Sequence, residues 1–261
     1  MRVLVTGATG TLGRRLVGEL ARRGHKVVAS SRGAADSVAS ISYVTVDLAT
    51  GSGLAGAVEG VEAIIHSATD PRRTEAIDVG GLQLLDETAP ADAHLLLPSI
   101  VGCDLIPTPY YKSKTASEQV LTSFKRPWSI LRATQFHQLI WGWYSRPSRN
   151  PLLLVPASTR YQVLDPMWMA SQLVDAVETG RQGRLEDLGG AFAYEAVELA
   201  RSVLAAVGSH RRAIAYNRPG IVGAALRAGA NLTPNRGEGE TWNDFVARQL
   251  SRRKTEDGRR K

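Results

Sequence analysis

The sequence predicts a Rossmann-like α/β fold, a doubly wound parallel sheet with helices on both faces and a small C-terminal lobe. Three observations carry this. Short apolar runs alternate with helix-period patterns through the first half. A glycine-spaced turn joins the first run to the first helical pattern. Near residue 147 the regularity is lost.

The elements follow in order. Residues 2–6 form a buried strand that stops at Gly7. From Leu12 the spacing becomes helical: Leu12, Leu16, Val17 and Leu20 make one stripe, with Arg14, Arg15, Arg22 and Arg23 mostly opposite. Gly24 ends this helix. Strands are predicted at 26–30, 42–46 and 63–66, a helix at 80–87, a fifth strand at 95–97, a helix at 113–124 and a sixth strand at 129–131. Then Pro147, Pro151, Pro156 and Pro166 break the chain into short pieces. Helices are predicted at 167–177, 195–207 and 242–250, and residues 185–188 read as a late strand returning to the sheet. The division is a ligand-binding core at 1–147, a substrate lobe at 148–250 and a basic flexible tail at 251–261.

Composition bounds the function. With 261 residues, 43% hydrophobic and 22% charged, the chain is globular, not disordered, collagenous or a coiled coil. A single cysteine, Cys103, excludes an intramolecular disulfide and a cysteine-cluster metal site, and no metal is expected. No apolar run reaches the ~18 residues of a membrane span, and the N-terminus lacks a signal-peptide pattern. The expectation is a soluble cytoplasmic protein. Of the net charge of +7, residues 251–261 hold +4, leaving an ordinary +3 on the other 250 residues. The tail has no interleaved aromatic residues for base stacking. The expected partner is a small molecule, not nucleic acid or membrane, and the expected assembly is a homodimer.

The turn reads Thr6-Gly7-Ala8-Thr9-Gly10-Thr11-Leu12-Gly13, spaced G-x-x-G-x-x-G. A side chain at Gly10 would obstruct a pyrophosphate, and one at Gly13 would hold the helix off the sheet. The helix N-terminus then offers free N–H groups to the phosphate. Gly7, Thr9, Gly10, Thr11, Leu12 and Gly13 are therefore the candidate phosphate cradle. An NAD-selective site puts an acid at the end of the second strand. Here that strand ends Ala29-Ser30-Ser31-Arg32, with no carboxylate before Asp36. Arg32 can pair with a 2′-phosphate, so NADP(H) is favoured over NAD(H).

With this turn, the chain resembles the short-chain dehydrogenase/reductase superfamily in its extended or atypical branch. The segment Ser129-Ile130-Leu131-Arg132-Ala133-Thr134-Gln135-Phe136 is similar to the strand-six motif of NmrA-like NAD(P)-binding proteins, and residues 226–232 are similar to actinobacterial members. The resemblance implies that Asp47 and Leu48 meet the adenine, and that Ala68 and Thr69 pass the nicotinamide ribose. It implies a catalytic set of Ser99, Tyr110 and Lys114, from Pro98-Ser99-Ile100-Val101-Gly102 and a Tyr-x-x-x-Lys motif. Tyr110 would give the proton, Lys114 would favour the phenolate and hold the ribose, and Ser99 would polarise the substrate oxygen. Tyr111 precedes Lys114 by three, so either phenol can face the lysine; the family register selects Tyr110. The implied substrate pocket contains Tyr111, Gln135, Phe136, His137, Trp141 and Trp168, with Trp143 nearby; core packing is the competing reading for the tryptophans and His137.

Three places depart from the family. Asp78 stands near a customary Asn, Pro98 removes a strand donor before Ser99, and Asp165-Pro166-Met167-Trp168 replaces an Asp-Val-Ala turn. The expected function is an NADP(H)-dependent oxidoreductase reducing a carbonyl or enone of a small apolar substrate. The alternatives are non-redox cyclisation, dehydration or isomerisation on the same site, and a dinucleotide-sensing regulator.

Overall fold

The computed structural model describes residues 1–33, 37 and 40–259, without the side chains of 254 and 256–259. The elements run β1 (Arg2–Thr6), α1 (Gly13–Arg22), β2 (Lys26–Ser31), β3 (Ile41–Thr45), α2 (Leu54–Ala57), β4 (Ala63–His66), a π-helical turn (Glu75–Val79), α3 (Gly80–Thr88), β5 (His94–Ile100), α4 (Pro109–Thr122), β6 (Trp128–Ala133), α5 (His137–Tyr144), β7 (Leu152–Pro156), β8 (Arg160–Tyr161), α6 (Pro166–Thr179), β9 (Gly183–Arg184), β10 (Tyr194–Glu195), α7 (Ala196–Ala206), β11 (Arg212–Tyr216), α8 (Gly220–Arg227) and α9 (Trp242–Arg259). Seven strands form one parallel sheet in the order β3-β2-β1-β4-β5-β6-β9. The order reverses between β1 and β4, where such sheets bind ligands outside the strand ends. The fold is Rossmann-like, as the sequence predicts.

The chain divides into two compact units. The first comprises Met1–Asp104, Thr108–Ala133 and Pro166–Asp187, and holds the whole parallel sheet. Its inner strands β1, β4 and β5 read as apolar runs because helices cover both faces. On one face Leu4, Val28, Ile64, Leu95, Leu97 and Ile130 pack with residues of α2, α3 and α4. Towards the other, α1 packs on α6, and α6 on β5 and β6. Pro98 fits within β5 because alternate amides face opposite neighbours. Those of His94 and Leu95 bond Glu62 O and Pro127 O, on the β4 and β6 sides. The missing donor of Pro98 therefore faces β4, beyond its last paired residue, Ile65.

The second unit comprises Leu105–Pro107, Thr134–Asp165 and Leu188–Lys261. It has two small sheets, β11 parallel to β7 and β10 antiparallel to β8. Its core gathers Ile140, Val155, Tyr161, Leu199, Val203, Trp242 and Phe245. These units differ from the simple cut at residue 147, because α6 and β9 return to the parallel sheet's unit. The late strand lies at Gly183–Arg184, just before the predicted 185–188, and Leu185 N bonds Ile130 O. Helix α9 runs on from the predicted 242–250 as far as Arg259. Helix α4 begins four residues before the predicted 113. Thr108 caps it by accepting from Tyr111 N, and Pro109 occupies the first turn, where a missing N–H costs nothing.

Candidate functional site

The glycine turn lies between β1 and α1. Gly7 has φ +65°, and a Cβ there would sit 2.6 Å from Ala68 Cα, so only glycine lets the segment after β4 pass. A Cβ on Gly13 would meet Gly7 O at 2.1 Å, which is why α1 can start against the turn. Helix α1 has no side-chain cap and no acid in its first turn. Arg14 and Arg15 bond Thr9 O and Thr11 O at 2.6 Å each. Two cations at the positive end of a helix are unfavourable until an anion arrives. An uncapped helix, a turn without side chains at its glycines and two arginines on its carbonyls fit a dinucleotide diphosphate.

The flanking positions are mixed. Asp47 Oδ1 accepts from Ala49 N at 2.9 Å and shapes its own turn. Leu48 is buried in the core cluster, so its side chain belongs to the packing. The Ser31 hydroxyl donates to Gly33 O. Arg32 is 73% exposed, with Nη1 3.9 Å from Asp70 Oδ2, a surface contact that leaves its guanidinium available. Asp36 lies outside the described residues.

A buried polar cluster stands beside this turn. The Lys114 ammonium donates to Asp78 Oδ1 at 2.8 Å, with both side chains almost wholly buried. Asp78 also accepts from the Thr69 hydroxyl at 2.8 Å. The π-helical turn delivers Asp78 to this place; such turns widen a helix locally and often occur at functional sites. Lys114 Nζ lies 5.9 Å from the Tyr110 ring centre, one helical turn back. The structure thus brings Tyr110, Lys114 and Thr69 together. Burial acts to lower the ammonium's proton affinity, but the Tyr110 phenol and Asp78 carboxylate outweigh it, so the net direction is upward. His66, to which the sequence assigned no role, is buried here with Nδ1 2.9 Å from Thr6 Oγ1. Burial, aided by the Lys114 charge, pushes its imidazole down to about 4, so it is neutral at pH 7.

Ser99 is placed differently from its predicted role. It pairs in register with Arg132, and its hydroxyl donates to Glu118 Oε1. Arg132 grips Glu118 through Nε at 2.7 Å and Nη2 at 2.6 Å, and reaches Asp104 through Nη1 at 2.9 Å. The Cys103 thiol, pushed up by burial, also donates to Glu118. The Ser99 proton is therefore committed to a buried carboxylate, which accepts it more strongly than a neutral substrate oxygen. Sequence reasoning missed Glu118 and Arg132. An arginine in an apolar strand was the available signal, since buried guanidinium needs a partner.

The predicted pocket residues are divided between the two units. His137 is fully buried in the second unit, its ring 5.1 Å from Phe245 and 6.0 Å from Trp242. That corrects its assignment to a substrate pocket: it is a core residue. Trp141 packs edge-on to Phe245 at 5.8 Å, and Trp143 edge-on to Tyr161 at 5.6 Å. Gln135 is buried and Phe136 is half-buried, bridged to Leu164. Tyr111 and Trp168 belong to the first unit, both half-buried. The second unit has a cavity of about 10 Å³, room for one water, lined by Asp165, Tyr194, Glu238 and Trp242 among others. None of Gln135, Phe136, His137 and Trp141 lines it. Among the described residues no cluster could hold a metal ion, and no helix is long and apolar enough to cross a membrane.

Residues 3–79 match the model of the NAD dependent epimerase/dehydratase family. An uncharacterised protein of Mycobacterium tuberculosis, Rv2047c, is 34% identical over 82 residues, or 31% of this chain and 10% of that protein. The chain thus matches only about a tenth of the length of these curated relatives. Among solved structures, a short-chain dehydrogenase/reductase superfamily protein from Agrobacterium tumefaciens with bound NAD has a TM-score of 0.72 at 17% identity, covering 100% of both chains. The Thermus thermophilus UDP-glucose 4-epimerase complex with NAD has a TM-score of 0.71 at 18% identity, covering 96% of this chain and 99% of that one. These are likenesses of fold.

Proposed function

We propose that this chain is a nicotinamide-dinucleotide-dependent enzyme of the short-chain dehydrogenase/reductase and epimerase kind, in its NmrA-like branch. It reduces a carbonyl or enone of a small apolar substrate, with Tyr110 as proton donor. The observation that carries this is the buried Lys114 ammonium one turn from Tyr110, beside an uncapped, glycine-lined helix N-terminus. A bound nicotinamide supplies hydride. The chain's residues do the rest: the turn at 7–13 holds the diphosphate, Lys114 binds the ribose and stabilises a forming phenolate, and the Tyr110 hydroxyl delivers its proton to the substrate oxygen. With Ser99 engaged by Glu118, polarisation of that oxygen falls to Tyr110 and Lys114.

The neighbouring complexes named above contain NAD. In this chain the exposed Arg32, with no acid at the end of β2, favours a 2′-phosphate, so NADP(H) is the preferred form. A second reading is net redox-neutral chemistry, isomerisation or dehydration, on the same site. The family matched by residues 3–79 and the commitment of Ser99 support it.

Fluorescence titration with NADPH and NADH is the first test. NADPH should bind at least about 10-fold more tightly, a single bidentate phosphate contact's worth, and Arg32→Ala should erase the difference. Binding of neither dinucleotide overturns the proposal. Tyr110→Phe should lower turnover about 10²-fold, the loss of a general acid, with NADPH affinity held. The product's mass separates the two readings: two units from substrate for reduction, unchanged or less one water for the alternative.

A further inference from the structure

We propose that Asp78 is a positioning residue of the dinucleotide site, its carboxylate holding the Lys114 ammonium in place for a bound nicotinamide ribose and for Tyr110. The inference rests on the reading above and adds a residue to it. A lone ammonium in the protein interior sheds its proton or draws in water. Lys114 instead has a counter-charge, because the π-helical turn Glu75–Val79 sets Asp78 Oδ1 at 2.8 Å from Nζ. The Thr69 hydroxyl binds the same oxygen at 2.8 Å, and the Asp70 amide reaches Oδ2 at 3.4 Å, so the carboxylate is fixed before it meets the amine. Thr69 is itself on the segment that runs past Gly7. The other titratable groups acting on Lys114 are the Tyr110 phenol on α4, neutral His66 on β4 and the Cys103 thiol after β5. Among the described residues, Asp78 is the one that accepts a hydrogen bond from it.

The test is NADPH binding by fluorescence from pH 6 to pH 9, read on the native protein, Asp78→Asn and Asp78→Glu. The native protein should bind with affinity constant within about twofold across the range. Asp78→Asn should lose about 10-fold or more between pH 6 and pH 9, because an unpaired buried lysine discharges in that interval. Asp78→Glu should restore most of the flat profile. A native-like, flat profile for Asp78→Asn overturns the proposal. If Asp78→Asn does not fold, Lys114→Met and the double variant Lys114→Met/Asp78→Asn decide. A residue acting only through Lys114 has nothing left to position, so the two should bind NADPH within about twofold of each other. A further loss of fivefold or more in the double variant overturns the proposal. If the native protein binds no dinucleotide at any pH, the parent reading has failed and this one with it, an outcome distinct from normal native binding with a flat Asp78→Asn profile.

Discussion

Helix α4 carries two buried charges one turn apart, Lys114 and Glu118, and each meets an opposite charge from another element. Lys114 meets Asp78 of the π-helical turn; Glu118 meets Arg132 of β6. The second cluster is closed. Glu118 accepts from Arg132 at both oxygens and from Ser99 and Cys103 as well, and Arg132 spends its remaining arm on Asp104. The first is open. The ammonium has three protons and, among the described residues, gives one to Asp78, with half-buried Tyr110 and exposed Thr69 beside it. Two ion pairs of the same chemistry on one helix thus take different work. A saturated pair clamps helix to strand, and on the proposed reading the other keeps donors for a ligand.

The largest effect should come from breaking the closed pair. Glu118→Gln leaves the Arg132 guanidinium buried with half its counter-charge, which should cost about 3–5 kcal/mol and lower the melting temperature by roughly 10 °C. NADPH affinity of the folded protein should stay within about twofold of native, measured where both the variant and the native protein are folded. A large loss of affinity with little change in melting would break the comparison, because Glu118 would then serve the ligand.

The open cluster should be the more acid-sensitive, through His66. Its folded value, about 4, lies below the ordinary 6.5, so between these the unfolded chain binds the extra proton. Stability is therefore complete above about pH 6.5 and lost as pH falls towards 4, by at most about 3 kcal/mol. His66→Gln, which keeps a partner for Thr6, should flatten that interval in melting curves taken from pH 7 to pH 4. An unaltered slope would place the acid sensitivity elsewhere.

What could be read in the sequence was local. The apolar runs of β1, β4 and β5, the G-x-x-G-x-x-G turn and the Tyr-x-x-x-Lys spacing are patterns within a few residues of one another, and the structure keeps them. The bounds of α4 were legible too, in Thr108-Pro109, although the prediction began the helix at 113. What could not be read was long-range pairing. Asp78 lies 36 residues before Lys114, and nothing local shows that a π-helical turn will swing it there. Ser99, Glu118 and Arg132 come from β5, α4 and β6, and meet because β5 pairs with β6 in a register that sets Ser99 opposite Arg132. His137 looked available because it follows a strand end; its burial depends on Trp242 and Phe245, about a hundred residues away. The parallel pairing of β7 with β11 is invisible for the same reason.

Ser99→Ala gives the smallest effect and the sharpest test of the division between the two clusters. If the hydroxyl belongs to the closed cluster, its loss removes one donor from a carboxylate that keeps two bonds from Arg132. The cost should then be about 1–2 kcal/mol of stability, seen as a drop of a few degrees in melting. On the proposed reading turnover of the folded protein should fall less than about 10-fold, because the Tyr110–Lys114 pair and the Glu118–Arg132 pair are both left in place. If Ser99 instead turns away from Glu118 to polarise the substrate, removing a preorganised donor should cost about 10²–10³-fold in turnover. Melting and turnover measured together on this one variant separate the cases: a small loss in melting with turnover kept assigns Ser99 to the clamp, and a large loss in turnover returns it to the site.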